Sequence, residues 1–451
     1  MTSLLIQSFL RSKALMLGLL LLFFSGLLSL YIGKIFLEQK ATTEVKTAQF
    51  QEEHLQRHLA SIDGDIGLLL YYIRFGLVNE TPNLAGLAIG HRDIHSTVQS
   101  VNIRNLEEQK YSSELMNPLY QLLGNMDFSF ILIYFFPLMI IAFCFNLLSE
   151  EKEGGTWTLI LSQSSHPLKV IRAKLWIRFV SIFSVLCLIL LIAQWYLSIP
   201  FDAAFALFVL TAVGYLLFWF ALTWWGISLQ KPSAQTALIL LLTWVSLTLV
   251  VPASVSALVV NLYPVPEAYS TIVESRDGYH SKWDQPKAPT IKKFKAHYPQ
   301  FIKYEHPVDK SFSWFWLFDM QQMGDDEAAQ ANRAMKNKLQ QRDRFSRNIG
   351  YVFPTMHTQF SLNTLSRSDM ANYLDFITQL EAFHEAKRLH FYPQIFENTP
   401  IADENWDAFG LEYFKEDSAA DGLRSLSPLG LGGLLFLFGA RRNWSLDPTM
   451  V

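Results

Sequence analysis

The sequence predicts an all-α membrane protein with six transmembrane helices and a mainly helical extracytoplasmic domain. Of its 451 residues, 51% are hydrophobic and only 17% are charged, a balance too apolar for an ordinary soluble domain. Five apolar runs are each long enough, as helices, to cross a hydrocarbon core of about 30 Å. Long polar segments with few strand signals follow the first and the fifth run. The net charge of −3 gives no basic excess for binding nucleic acid.

The spans are placed by the length of each apolar run, at 14–37, 128–148, 176–198, 203–229 and 236–262. A sixth run, 426–440, has about 15 residues or about 22 Å of helix, so it needs local thinning or protein packing to span. Its glycines would let neighbouring helices approach closely: Gly430, Gly432, Gly433 and Gly439. The chain therefore divides into a first transmembrane helix (1–37), an outer segment (38–127), four helices (128–262), an outer helical domain (263–425) and a last helix with its tail (426–451).

Lysine and arginine in the short loops set the predicted orientation. They flank the first, second, fourth and sixth spans: Arg11, Lys13, Lys169, Arg172, Lys174, Arg178, Lys231, Arg441 and Arg442. With six spans, all of them lie on one side, which the positive-inside rule assigns to the cytoplasm. Both termini are then cytoplasmic, and the two long segments lie on the opposite side. A cleaved signal peptide is the alternative for the first span, but its apolar run exceeds the usual length of about 7 to 15 residues.

The outer segments contain helical patterns. Polar, helix-forming residues 38–60 predict a continuation of the first span beyond the bilayer. Two apolar faces at helical spacing follow in the second segment: Ala328, Ala331, Met335, Leu339 and Phe345, then Met370, Tyr373, Leu374, Ile377 and Leu380. Ser366, with Asp369 three residues later, predicts a capping box that opens the second of these helices.

An acidic turn directly follows the second span. Glu150 and Glu153 precede a glycine pair, and a basic stretch leads into the third span. The segment 149–175 has two interpretations. It is either an ordinary polar loop with a glycine helix stop, or a coupling element that passes force from a cytoplasmic partner into the membrane helices through packed contacts.

The turn resembles a segment of ABC-2-type transporter permeases. Residues 150–163 read EEKEGGTWTLILSQ and lead to Pro167 and Lys174, similar to the segment after the second helix of those permeases. Further similarities match the subset with large extracytoplasmic insertions after the first and fifth spans: residues 117–119, Gly124, Asp127, Phe128, Pro137, Leu138, Trp244, Pro252, Phe353, Pro354, 373–376 and 391–396. A doubled glycine and a short last span depart from the pattern.

The resemblance implies the permease subunit of an ABC-2-type transporter in a bacterial inner membrane, with export favoured over import. A separate cytoplasmic ABC ATPase would dock on 149–175, and a second copy or a homologous permease would complete the translocation path. The implied ATPase-coupling residues are Glu150, Glu153, Gly154, Gly155, Thr156 and Trp157. No phosphate-binding loop of the form GxxxxGK[ST] occurs, so we expect no ATPase site, no cofactor and no enzyme activity. Membrane lipids are expected partners, and nucleic acid is not.

Two other functions compete with this interpretation. A membrane-anchored envelope enzyme would need converging carboxylates or a metal cluster outside the membrane, and a scaffold with a large extracytoplasmic domain would leave 149–175 without a purpose. The pairs His91–His95 and His384–His390 lack the HExxH pattern. We therefore expect no metal site and place His384 and His390 on a solvated helix face.

Polar residues within the predicted spans are expected to pack and hydrogen bond between helices rather than to line a substrate path. They are Asn146, Gln194, Thr211, Thr223, Thr243 and Ser246. Ionisable groups are almost absent from the five strong spans, which disfavours ion-coupled transport. The sequence does not identify the transported substrate.

Overall fold

A computed structural model describes residues 2–110, 125–164, 166–265, 282–284, 286–305, 312–416 and 422–445. Long apolar helices dominate this part of the chain, which confirms the predicted all-α membrane fold. Residues 117–119 and Gly124, part of the similarity described above, lie outside the described residues.

The helices and strands follow one another in this order: α1 (Thr2–Arg11), α2 (Lys13–Ser61), α3 (Ile66–Tyr72), β1 (Phe75–Asn79), β2 (Val98–Val101), α4 (Leu106–Lys110), α5 (Phe128–Phe130, Ile131–Phe135 and Phe136–Cys144), α6 (Ser149–Glu153), α7 (Thr156–Gln163), α8 (Leu168–Tyr196), α9 (Ala203–Ser228), α10 (Ser233–Val245, Ser246–Val250 and Val251–Leu262), α11 (Lys287–His297), α12 (Trp314–Gly350), α13 (Pro354–Leu365), α14 (Met370–Glu397), β3 (Glu412–Phe414) and α15 (Gly422–Ser445).

Five of these helical stretches are long and apolar enough to cross a membrane: α2, α5 with α6, α8, α9 and α10. They coincide with the five strong spans predicted from the sequence. In α5 with α6, and in α9, 61% of the most apolar window is buried, against 17 to 22% in the other three. The second and fourth spans therefore form the centre of the bundle. Helix α2 continues through 49 residues, about 73 Å, which confirms that the first span extends beyond the bilayer.

Helix α15 contains the predicted sixth span and runs parallel to α9. Residue pairs along the two helices keep a nearly constant offset from one end to the other: Leu207 with Gly422, Gly214 with Leu429, Phe218 with Gly432, Trp225 with Gly439, and Ser228 with Asn443. Gly432, Gly433 and Gly439 lie against α9, as predicted, whereas Gly430 has no neighbour in the position of a side chain. Because α15 follows α9 throughout, it extends over the same depth of the bundle.

Both α5 and α10 contain a π-helical turn followed by proline, at Pro137 and Pro252. Proline has no N–H, so the carbonyl four residues before it loses its usual helical donor. For Pro137 that carbonyl belongs to Ile133, and the hydroxyl of Tyr215 on α9 donates to it at 3.1 Å. The two π-helical turns interrupt otherwise regular apolar helices. Such turns are frequent at functional sites.

The polar groups inside the spans behave differently from the prediction. The hydroxyls of Thr211 and Thr243 donate to carbonyls of their own helices, at Leu207 and Ile239, both at 2.8 Å. Threonine can reach the carbonyl four residues back, and this bond satisfies the hydroxyl without a partner helix. The expectation of hydrogen bonding between helices was therefore wrong for these two residues.

The two outer segments form one folded unit. Strand β1 of the first segment pairs antiparallel with β2 and parallel with β3 of the second. A common aromatic and aliphatic core draws on both segments, with Phe75 stacked on Phe391 at 5.4 Å between ring centroids. Helices predominate in the unit, as expected, but the three-stranded sheet joins chain segments separated by the second to fifth spans.

Helix α13 leaves this unit and packs among the membrane helices. Pro354 lies beside Gly432, near the middle of α15, and His357 contacts the backbone carbonyl of Ser425 at 2.9 Å. Leu362 and Leu365 belong to the same buried core as the spans. Part of the segment 263–425, predicted to lie wholly outside, is thus wedged into the bundle.

Two local predictions in the outer unit were wrong. Asp369, not Ser366, caps α14, because its carboxylate accepts the N–H of Asn372 at 3.0 Å while Ser366 ends the preceding helix. His384 is buried rather than solvated, and its imidazole contacts the carbonyl of Asn102 at 2.9 Å. His390 is exposed, as expected, and contacts Glu404.

Candidate coupling site

The segments with short-loop lysines and arginines meet at one end of the helical bundle. Helices α6 and α7 lie here, joined to the connection between α9 and α10. The end of α15 is held by Asn443, whose amide donates to the hydroxyl of Ser228 at 2.8 Å. The outer unit contacts the opposite end, where Asn83 bonds the carbonyl of Ser198 at 2.8 Å. The loops that carry these lysines and arginines and the outer unit thus lie at opposite ends of the bundle.

The glycine pair makes the sharp turn between α6 and α7. Gly154 ends α6 with an ordinary helical φ of −82° and donates its N–H to the carbonyl of Glu150. Gly155 has φ of +73°, a left-handed conformation that side chains with a Cβ disfavour. Gly155, the glycine directly before Thr156, is therefore the one whose backbone conformation requires glycine.

Three side chains of α6 bind either the start of α10 or the connection that leads into it. The carboxylate of Glu153 accepts the N–H and the hydroxyl of Ser233, at 2.8 and 2.9 Å. The hydroxyls of Ser233 and Ser149 are 2.8 Å apart, and Lys152 donates to the amide oxygen of Gln230 at 2.7 Å. A carboxylate at a helix N-terminus satisfies an open N–H and complements the helix dipole. The acidic turn thus connects the second span directly to the fifth.

The other two glutamates have different partners. Glu151 forms an ion pair with Lys174 of α8 and accepts the hydroxyl of Thr156. Glu150 accepts the amide of Asn146 at 3.1 Å and lines a cavity against α1. Glu150 and Glu153, paired in the sequence prediction, therefore face separate regions of the structure, and only Glu153 bonds the fifth span.

Helix α7 has one buried and one exposed face. Trp157 is 7% exposed and packs into the core shared by the spans. Leu159 projects outward with 56% of its surface exposed, beside the exposed Thr156 and Thr158. Sequence reasoning identified Trp157 and Thr156 but missed Leu159 and Ser233. The helical spacing of Trp157, Ile160 and Leu161 could have shown that Leu159 lies off their common face. Ser233 is distant in sequence and gave no signal.

These contacts join α6 and α7 to three parts of the helical bundle. Trp157 packs α7 into the core of the spans. Glu151 of α6 pairs with Lys174 at the start of the third span, and Glu153 of α6 binds Ser233 at the start of the fifth. Among the described residues of the whole chain, no group of three metal-ligating side chains comes together.

Together, these features define a multi-pass helical membrane protein. At the polar end of its bundle, Glu153 and Ser233 form an intramolecular contact, called the clamp below. A family model described as "ABC-2 family transporter protein" matches residues 5–309, more than half of the chain. The chain therefore belongs to the ABC-2 family of transporter proteins. A second model, described as "Domain of unknown function (DUF3526)", matches residues 268–410, within the outer segment. Searches of curated proteins and of solved structures found no match.

Proposed function

We propose that this chain is the transmembrane subunit of an ATP-driven exporter and that its ATPase docks on the exposed face of α6 and α7. The proposal is supported by family membership and, above all, by the clamp between Glu153 and Ser233. The docking surface consists of Lys152, Thr156, Thr158 and Leu159. An exposed leucine rimmed by polar groups matches the composition of an interface centre and its surroundings.

In the proposed mechanism, the ATPase moves α7 and the clamp transmits that motion to α10. Rigid contacts are required, because force passes between sites through packed or hydrogen-bonded elements. The π-helical turns at Ile131–Phe135 and Ser246–Val250 are the positions where α5 and α10 can change their local geometry. Both turns contact α13, so the outer unit would respond to the same movement.

The docking step is tested with Leu159→Asp in the tagged full-length chain, copurified with its cytoplasmic ATPase. We expect ATPase recovery to fall about tenfold or more, since a buried charge without a partner disfavours association. Val45→Asp, at a similarly exposed apolar position on the outer part of α2, is the matched control. Equal ATPase recovery with both variants would contradict the docking surface.

The coupling step is tested with the double variant Glu150→Ala, Glu153→Ala. Both side chains are exposed, so detergent-solubilised stability should change by less than about 1 kcal/mol. We expect weakened ATPase association or ATP hydrolysis that no longer drives transport. The two single variants separate the contribution of Glu150 from that of Glu153. Glu153→Ala alone should reproduce the coupling defect, because only Glu153 bonds the fifth span. A large stability loss with intact binding would make the turn only a helix terminus.

We propose that the chain resides in a bacterial inner membrane with both termini in the cytoplasm. Single cysteines at Ser61 and Ala402 should react with an impermeant thiol reagent in spheroplasts, while one at Ser162 should not. All three positions are exposed in the structure, and Cys144 and Cys187 are replaced beforehand. Protection of the first two positions would overturn this topology.

We also propose that two permease chains, identical or homologous, surround one translocation path, as the family implies. Native mass spectrometry of the complex purified with its ATPase should then give two permease and two ATPase subunits. A complex with a single permease chain would exclude this assembly.

A further inference from the structure

A cavity of about 330 Å³ lies at the polar end of the bundle, between α1, the end of α5 and the start of α8. Its apolar wall contains Leu5, Phe9 and Phe143, and its polar wall contains Ser8, Ser12, Asn146, Glu150, Lys174 and Arg178. The docking surface proposed above (Lys152, Thr156, Thr158 and Leu159) shares no residue with the cavity lining, although Glu150 of α6 lines the cavity.

Arg178 is the unusual residue of this wall. Its Nε and Nη1 atoms are buried, yet they have no hydrogen-bond acceptor in the part of the chain that the structure describes. Buried guanidinium N–H groups without acceptors are disfavoured unless a ligand supplies them. The neighbouring Lys174 is already paired with Glu151, and Glu150 takes the amide of Asn146. Arg178 is therefore a cation with two unsatisfied donors in the wall of a cavity large enough for a small anionic group.

The location of the cavity indicates the source of that anion. Helix α1 exposes Leu4, Ile6 and Leu10, of which Ile6 and Leu10 share one side of the helix, and it buries Phe9. A short helix with an exposed apolar side and basic residues at its end, here Arg11 and Lys13, is typical of a helix lying in the membrane interface. The phosphates of phospholipids lie at this depth, and arginine binds phosphate strongly.

We propose that the cavity binds the phosphate of an anionic phospholipid through Arg178 and that the bound lipid fixes α1 against α5 and α8. The hydroxyls of Ser8 and Ser12 can donate to the same phosphate. The apolar wall at Leu5 and Phe9 contacts the glycerol and the first methylenes of the acyl chains. The site makes anionic lipid a structural ligand of the permease.

Native mass spectrometry of the delipidated full-length chain tests the site, with phosphatidylglycerol and phosphatidylcholine of identical acyl chains as probes. We expect preferential binding of phosphatidylglycerol, and a loss of about tenfold or more in Arg178→Gln. Lys169→Gln removes the same charge at an exposed position of α8 and should bind like the wild type. Hydrogen exchange in α1 should slow with phosphatidylglycerol in the wild type but not in Arg178→Gln.

Two results would overturn the proposal: undiminished phosphatidylglycerol binding by Arg178→Gln, or equal binding of both lipids to the wild type, which would indicate only an apolar crevice. Inorganic phosphate at millimolar concentration is the third probe. If it slows exchange in α1 as well as the lipid does, the site binds free phosphate and the lipid assignment fails. Should Arg178→Gln not fold, Ser8→Glu places a negative charge at the exposed rim and should give the same loss.

Discussion

The membrane bundle and the outer unit are stabilised in different ways. In the bundle, buried residues are almost all apolar, and hydroxyls such as those of Ser29 and Thr211 bond their own helix. In the outer unit, buried charges form networks across the chain, with Lys110 bonding both Glu107 and Glu381 at 2.6 and 2.7 Å. A helix in a bilayer hydrogen-bonds its own backbone N–H and C=O groups. The outer unit must bring distant chain segments together in one register, and its buried polar networks specify that register. Substitutions should therefore act locally in the bundle and globally in the outer unit.

The largest effect is expected for Arg388→Ala in the outer unit. Arg388 is 2% exposed, donates to the carbonyls of Ile103 and Arg104, and pairs with Asp325 at 2.7 Å. Removing one partner of a buried ion pair typically costs about 3 to 5 kcal/mol. We expect the outer unit to become protease-sensitive well below the melting temperature of the wild type. Arg344→Ala, exposed on α12, is the control, and equal resistance of the two variants would contradict the network's role.

An intermediate effect is expected for Tyr215→Phe in the bundle. The variant keeps the ring but leaves the carbonyl of Ile133 without the hydroxyl donor from α9. A buried acceptor that loses its partner costs about 1 to 3 kcal/mol. Unfolding in mixed detergent micelles measures this loss, with the exposed Tyr31→Phe as control. The protease resistance of the outer unit should stay unchanged. A loss of that resistance would contradict the view that substitutions in the bundle act locally.

Gly155→Ala should give a smaller effect at the coupling turn. The space around a new Cβ is open, so the cost of about 1 kcal/mol comes only from the left-handed backbone. Gly410→Ala, where a Cβ would also be unobstructed and φ is not positive, serves as control. Identical melting temperatures for the two variants would show that the turn relaxes without penalty.

The last effect concerns pH and His384. Burial in the outer unit lowers the pKa of His384 well below its ordinary value, so the folded state holds the neutral ring. Its contribution to stability is complete above the unfolded pKa of about 6.5 and is lost as the pH falls below it. Urea unfolding at pH 7 and pH 5 should show a smaller pH dependence in His384→Gln than in the exposed control His390→Gln. Equal slopes would contradict this assignment.

The positions of the spans and the acidic turn were predictable because they depend on local composition. Runs of apolar residues located α2, α5, α8, α9 and α10, and the glycine pair located the break between α6 and α7. The hydrogen bond from Ser233 to Glu153 was not predictable, since 80 residues separate the two.

The sequence by itself determined the apolar helices, their number and the polar end of each, because a bilayer selects helices by length and hydrophobicity alone. Only the tertiary structure decided that the two outer segments share a sheet, that α13 lies among the spans and that α15 follows α9. These features depend on complementary surfaces far apart in the chain, such as Phe75 with Phe391 and Pro354 with Gly432. Packing of this kind leaves no periodic pattern in the sequence. Each partner has the local sequence of an ordinary buried residue, which does not indicate the residue that it contacts.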